Sequence, residues 1–342
     1  MTPNETAEKT FPNHKGHPEH EIELKSSWML ISKTHLYLGA VLVFLVGMLS
    51  GGGYYYRASM DLAQSLGATA VTQPHVVEDL VANDFNVVVY DDMSNGKNFN
   101  KDVSAVLVKD ITVVNDFSYI VHKIDYVVHL AAAISVEEST RLPEKYQRIN
   151  VEGSRKVGGI SHCARSLPLA VSARTPPPSS TWSTSWLNST NSPASSRRLL
   201  RFFNVYGPRQ DPHSSYSGVV SWFMEQAKIN GTLKVTGDGE QYRDFVYVKD
   251  VARAIRTAML LQHDDFDVFN VCTGVKTSIN DVAVAVKAKF GSSADISHIP
   301  YRQGDVKESV CSPVKAATKL GFTASYDFPT GIGETRDWFM TI

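Results

Sequence analysis

An α/β fold with a doubly wound parallel sheet and a smaller C-terminal substrate lobe is the class this sequence predicts. Three observations lead there. Short apolar, β-branched runs occur at residues 85–90 ("FNVVVY"), 103–111 ("VSAVLVKDI") and 125–133 ("DYVVHLAAA"). The stretch "VVNDFSYIVHKI" between the last two has helical spacing, and strands alternating with helices imply a parallel sheet. The chain is 342 residues long, 43% hydrophobic and 20% charged, which is enough to build a sizeable core and excludes global disorder. A net charge of −1 leaves no basic face for phosphate neutralisation, so a nucleic-acid partner is not expected.

The elements follow in order. Residues 1–35 read as a disordered tail, because they are largely polar and lack periodicity. Residues 36–56 carry no charge, and their length suits a transmembrane anchor with Tyr54, Tyr55 and Tyr56 at the interface. Lys15, Lys25 and Lys33 precede the run, so the expectation is a single-pass membrane protein with a cytosolic N-terminus and the main domain in a secretory lumen. The competing reading makes "AVLVFLVG" a buried parallel strand, "GGG" the turn after it, and the protein cytoplasmic. Spacing favours the anchor. "ATAVT" reads as a strand and "HVVEDLVAND" as a helix with Val76, Val77, Leu80 and Val81 on one face, and only Gln73 and Pro74 separate them. Gly47 and Gly51–Gly53 lie too far upstream of Asp91, since a dinucleotide-binding glycine turn precedes its ribose-binding acid by roughly 20 residues.

Asp91 closes the strand 85–90, where a carboxylate suits adenosine ribose hydroxyls or simply forms a turn. Three cysteines, Cys163, Cys272 and Cys311, form no CxxC pattern and are expected to be free thiols; no metal site is expected. Farther along, "YSGVVSWFMEQAKING" and "SINDVAVAVKAKFG" have helical spacing. The second opens on a capping box of Ser278 and Asp281 and closes at Gly291. Both belong to a lobe spanning residues 206–342.

The blocks "RFFNVYGPRQDP", "VTGDGEQYRDFVYVKDVARAI", "FNVCTGVKTSINDVAVAV" and "YRQGDVKESV", in that order, resemble the NAD-dependent epimerase/dehydratase family of extended short-chain dehydrogenase/reductases. "VVVYDDMSNG" and "HLAAAISVEESTRLPEKYQRINVEGSRKV" resemble it upstream, and within the family the chain looks most like UDP-hexose 4-epimerases. The resemblance implies a Rossmann-like NAD-binding domain over residues 68–205, NAD as cofactor, a UDP-sugar as substrate and a homodimer. It implies that Asp91, Asp92, Ser94 and Gly96 hold the adenosine ribose and its phosphate. Asp110 and Ile111 would flank the adenine, Leu130, Ala131 and Ala132 would line the cofactor groove, and Asn150 would lie near it. Asn204 and Arg243 would contact the substrate diphosphate, with Arg302 and Asp305 closing over phosphate and uridine ribose.

The family's chemistry rests on a Tyr and a Lys one helical turn apart, after the strand that "LPLAV" resembles. The Tyr removes the sugar 4-hydroxyl proton, and the Lys lowers its pKa. Here no tyrosine stands between Tyr146 and Tyr206 and no lysine between Lys156 and Lys228. A Ser/Thr/Pro tract, residues 172–198, occupies the place and reads as an irregular loop. Ser172 matches the family's catalytic-loop serine, and Arg197 or Arg198 falls near the Lys position, where Arg is no simple replacement. The glycine turn and the catalytic helix end abruptly beside intact flanks. That reads as an excised or mistranslated segment, or alternatively as a real loop in a chain that has given up catalysis. The expected function is therefore a UDP-hexose 4-epimerase-like protein, inactive or impaired as written. The alternatives are a non-catalytic nucleotide-sugar binder or scaffold, or a UDP-sugar decarboxylase or dehydratase.

Overall fold

The computed structural model describes residues 40–44, 67–92, 103, 105–113, 125–133, 141–160, 166–172, 196–213, 218–261, 267–301 and 307–342. Seven strands make the main sheet: β1 (Ala40–Phe44), β2 (Asn86–Asp91), β3 (Ala105–Val108), β4 (Tyr126–His129), β5 (Ser166–Ser172), β6 (Ser196–Phe202) and β11 (Asp267–Val271). Their spatial order is β11-β6-β5-β4-β1-β2-β3, and every pairing in it is parallel. The order reverses at β1, which pairs with β2 on one side and β4 on the other, Leu42 facing both Val88 and Val127. In open α/β sheets, ligands bind outside the carboxyl ends of the strands at such a reversal.

β1 overturns the expected anchor at residues 36–56. Apolar "AVLVF" is an interior strand of the sheet, at its reversal point. A parallel strand buried on both faces is as uniformly apolar as a membrane span, so composition alone does not separate the two. No helix among the described residues is long and apolar enough to cross a membrane. The single-pass placement falls with the anchor, and so does the lumenal location that depended on it.

The spacing objection dissolves for a related reason. "ATAVT" is not a strand: one helix runs from Gly67 to Ala82, with Pro74 inside it. β-Branched residues and an interior proline both disfavour helix, by about 3 kcal/mol for the proline. Burial overrides them here, because Val71, Val76, Val77 and Leu80 are all sealed in the core. The helix lies against a second one, Val248–Leu260, and Arg256 Nε donates to Asp79 across the pair at 2.7 Å. Among the described residues, this one helix lies between β1 and β2. The expected helix at "VVNDFSYIVHKI" and residues 173–195 of the Ser/Thr/Pro tract lie outside the described residues. The tract's end, Ser196–Arg198, is strand rather than loop.

After β4, a helix (Pro143–Tyr146) passes through a π-helical turn (Gln147–Gly153) into another helix, Ser154–Ile160. After β6 the chain forms β7 (Asn204–Tyr206), the helix Val219–Lys228, β8 (Thr232–Thr236), β9 (Tyr242–Arg243) and β10 (Phe245–Tyr247). Helix Val248–Leu260 then leads back to the main sheet as β11, so residues beyond 206 also build its edge. The chain ends with β12 (Thr277–Ser278), the helix Ile279–Phe290, β13 (Asp295–Ile299), β14 (Glu308–Ser309) and the helix Phe328–Phe339. Ser278 and Asp281 close the expected capping box reciprocally. One apolar core runs from Val71 and Leu80 through Leu200 and Phe202 to Phe223, Val251 and Ile332.

Candidate active site

The cofactor side lies at the carboxyl ends of β2, β3 and β4. Asp91 and Asp92 end β2 and are both buried. The Asp91 carbonyl accepts the Lys109 N–H, which ties the end of β2 to the turn after β3. Asp110 opens that turn. Its carboxylate accepts Thr112 N–H at 2.7 Å and Thr112 Oγ1–H at 2.9 Å, so it shapes the loop. Ile111 beside it is fully buried. A Cβ at Gly153 would stand 2.7 Å from Ile111 Cδ1, so only glycine lets the π-turn close over that side chain. Lys156 Nζ, from the following helix, donates to the Thr112 carbonyl at 2.6 Å.

Leu130 and Ala131 are buried and Ala132 half-buried in the segment leaving β4. Asn150 clasps this segment at two points: its Oδ1 accepts Ala133 N–H and its Nδ2 donates to Ala133 O, both at 2.7 Å. Its place beside the groove was expected, and the contacts show what it does there, which is to hold the groove's backbone. His129 ends β4 fully enclosed, with Nε2 2.8 Å from Ser154 Oγ. Burial pulls its pKa down to about 4, so the imidazole is neutral at physiological pH. Buried carboxylates at the end of β2 and a rigid backbone at the β1–β4 reversal fit the adenosine half of NAD. Ser94, Gly96 and the segment 45–66 lie outside the described residues.

Asn204 and Arg243, the two described residues expected at the substrate, meet at Asp244, an acid that sequence reasoning passed over. It is fully buried. Its Oδ1 accepts Thr273 N–H at 2.9 Å and Thr273 Oγ1–H at 2.8 Å, and its Oδ2 accepts Gly274 N–H at 2.7 Å. Its carbonyl accepts both the backbone N–H and the Nδ2–H of Asn204, at 3.0 and 2.8 Å. Its own N–H donates to Ser309 O at 2.9 Å. The available signal was one carboxylate directly before the apolar run "FVYV", where burial of the run's start demands partners for it.

Asn204 and Arg243, both expected at the diphosphate, are buried and lie on either side of this joint. β9, which carries Arg243, is flanked by β12 and β14, with Thr277 and Ser309 opposite Arg243. Arg243 Nη1 donates to the Tyr242 carbonyl at 2.9 Å. Arg302 and Asp305 lie outside the described residues, and β14 begins three residues after Asp305.

The expected free thiols need correction. Cys272 follows β11, Cys311 follows β14, and the structure joins their sulfurs in a disulfide with a Cα–Cα distance of 6.4 Å. Thirty-nine residues separate them, so only the fold brings them together. Asp244, Cys272 and Cys311 place one ligand atom each within 4.8 Å of one another. The sulfurs are bonded to each other and both Asp244 oxygens already accept hydrogen bonds, so the trio is a structural joint.

Nothing among the described residues replaces the Tyr/Lys pair. Ser172 is the last residue of β5, paired with Phe202 of β6. Arg198 sits in β6, buried, with Nη2 donating to Leu261 O at 2.6 Å. Tyr206 and Tyr247 are the nearest tyrosines beyond the gap whose environment is charged. Burial, then the nearby Asp250, Asp327 and Glu334, raise Tyr206 far above the usual tyrosine range. Burial and a hydrogen bond to Glu334 do the same to Tyr247. Both phenols stay protonated at neutral pH, the opposite of what a catalytic base requires.

A parallel sheet whose strand order reverses at β1, with the chain beyond β7 returning to its edge as β11, defines a Rossmann-like α/β protein. The profile of the NAD dependent epimerase/dehydratase family matches residues 66–171 and 186–272, more than half of the chain, and the chain belongs to that family. It is 28% identical over 304 residues to the UDP-glucose 4-epimerase of Mycolicibacterium smegmatis, covering 80% of this chain and 96% of that protein. The crystal structure of Thermotoga maritima UDP-glucose 4-epimerase with UDP-glucose superposes with a TM-score of 0.71 at 28% identity, over 88% of this chain and 99% of that one. The Thermus thermophilus UDP-glucose 4-epimerase, solved with NAD, gives 0.68 at 26% identity, over 88% and 99% of the two chains.

Proposed function

We propose that this chain binds a UDP-sugar and NAD as a UDP-hexose 4-epimerase-like protein, and that its turnover as an epimerase is impaired. The observation that carries the substrate half is the Asp244 joint. It ties buried Asn204 and Arg243 to β14 through backbone and side-chain hydrogen bonds. A guanidinium's planar fork matches diphosphate oxygens, and preorganisation removes the entropy cost of gathering the contacts on binding. Arg302 and Asp305 would complete the site from the segment before β14.

For the cofactor, Asp91, Asp92, Ser94 and Gly96 would hold the adenosine ribose and its phosphate. Asp110 and Ile111 would border the adenine, and Leu130, Ala131 and Ala132 the groove. NAD, when bound, supplies a hydride acceptor for the sugar carbon. The chain's own contribution would be to bind and orient, through a groove whose backbone Asn150 and Lys156 hold in place. What it lacks is a base for the 4-hydroxyl proton. The segment after Ser172 contains neither Tyr nor Lys, and Tyr206 and Tyr247 are held protonated.

The test uses the purified full chain. Calorimetry with UDP and UDP-glucose is expected to show binding that Arg243→Ala abolishes. Conversion of UDP-galactose to UDP-glucose with added NAD is expected to run at least about 100-fold below an intact enzyme, the usual worth of a general base. Absence of UDP binding would overturn the substrate reading. Normal turnover would overturn the impairment.

A further inference from the structure

We infer that Cys272 and Cys311 form a reversible thiol–disulfide site that fixes the β14 arm beside Arg243, and that reducing it weakens UDP-sugar binding. The inference rests on the proposed UDP-sugar site for its effect on affinity, and on the fold alone for its effect on the arm. Cys272 immediately follows β11, at the edge of the main sheet, and is fully buried. Cys311 lies two residues after β14 and is half-buried, open to a small reagent. Their Cα–Cα distance of 6.4 Å falls inside the range a disulfide spans.

The two ends of the cross-link meet at the Asp244 joint. Thr273 and Gly274, directly after Cys272, hold the Asp244 carboxylate. Ser309, two residues before Cys311, accepts the Asp244 N–H and faces Arg243. Pro313 packs on Gly274, whose φ of +78° admits little but glycine and where a Cβ would approach Pro313 Cδ to 3.0 Å. Without the cross-link, β14 is a two-residue strand held by the Tyr242 N–H to Lys307 O and Asp244 N–H to Ser309 O bonds and by an exposed ion pair of Lys276 with Glu308 at 3.3 Å. The sulfur bond is the one covalent tie, among the described residues, between that arm and the sheet.

The exchange balances with a low-molecular-weight disulfide of the glutathione class. The Cys311 thiolate attacks one sulfur of the small disulfide, forming a mixed disulfide and releasing one small thiolate. The Cys272 thiolate then attacks the Cys311 sulfur and displaces the second. Two protein thiols are oxidised, one small disulfide is reduced to two thiols, and the two protein protons pass to the leaving groups. Excess small thiol reverses both steps.

The full chain, equilibrated with glutathione disulfide or with a phosphine reductant, is denatured, alkylated and peptide-mapped, with Cys163 read separately. Oxidation is expected to block Cys272 and Cys311 together. Hydrogen exchange in peptides covering residues 300–311 is expected to be faster in the reduced chain. UDP-glucose binding is expected to weaken about tenfold on reduction, the cost of ordering one or two further side chains. Cys311→Ser should match the reduced chain and lose all redox response. Equal exchange in the two states, or two free thiols after oxidation, overturns the inference, as does equal affinity for a ligand that binds both states. If neither state binds UDP while the exchange still differs, the UDP-sugar reading fails and the cross-link's hold on the arm stands.

Discussion

Asp244 and His129 show how single buried polar residues hold this site. Asp244 satisfies three donors from Thr273 and Gly274 with two oxygens and has no exposed surface. Replacing it with alanine leaves those donors buried without partners. Asp244→Ala is expected to lower stability by about 3 kcal/mol or more, measured by urea unfolding. His129 makes the pH dependence. Its pKa is about 4 in the fold against an ordinary value of 6.5, so the unfolded chain binds more protons between those values. Stability from this residue is complete above pH 6.5 and is lost as pH falls toward 4. The loss is on the order of 3 kcal/mol, and His129→Gln should flatten that slope in unfolding measured across the window. Of the two residues, only Asp244 left a mark in the sequence, as a carboxylate at the start of an apolar run. Nothing about the letter at 129 says that Ser154 will meet it.

At the scale of elements, β2 to β5 were legible because each is short, apolar and bounded by turn residues. The helix Ile279–Phe290 was legible because a capping box is a local device written in four residues. β1 and the helix Gly67–Ala82 were misread together. An apolar run of this kind satisfies a bilayer and a sheet interior equally, and "ATAVT" has strand propensity that core burial overrides. The difference is testable. Leu42 of the interior strand β1 is paired on both sides, with Val88 and Val127, so Leu42→Pro removes an N–H from inside the sheet. It is expected to abolish the cooperative thermal transition followed by circular dichroism. A membrane anchor outside the folded domain would leave that transition unchanged.

Across the whole molecule, long-range ties join segments far apart in sequence. Asp79 and Arg256 link the first helix to the helix Val248–Leu260 across 177 residues, in a partly buried pair with contacts at 2.7 and 3.4 Å. A double-mutant cycle with Asp79→Asn and Arg256→Gln is expected to give a coupling of about 1 kcal/mol that shrinks in high salt. The same principle places the substrate site. β11 comes from beyond the expected lobe boundary and pairs with β6, carrying Cys272, Thr273 and Gly274 to Asp244. Ordered motifs named the candidate site residues. They were silent on how Asp244 and the Cys272–Cys311 bond join them, because those contacts span 29 and 39 residues and follow no local rule.

By itself the sequence determined the parallel α/β class, the family, Asn204 and Arg243 as substrate candidates, and the absence of a Tyr/Lys pair after β5. These are local facts, carried by periodicity, motif order and composition. Only the tertiary structure decided that residues 40–44 are an interior strand at the sheet's reversal, that Asp244 joins Asn204 to β14, and that two distant cysteines meet there. The physical reason is common to all three. Burial and pairing are properties of neighbours in space, and a chain's apolar or polar letters acquire their roles only when folding chooses those neighbours.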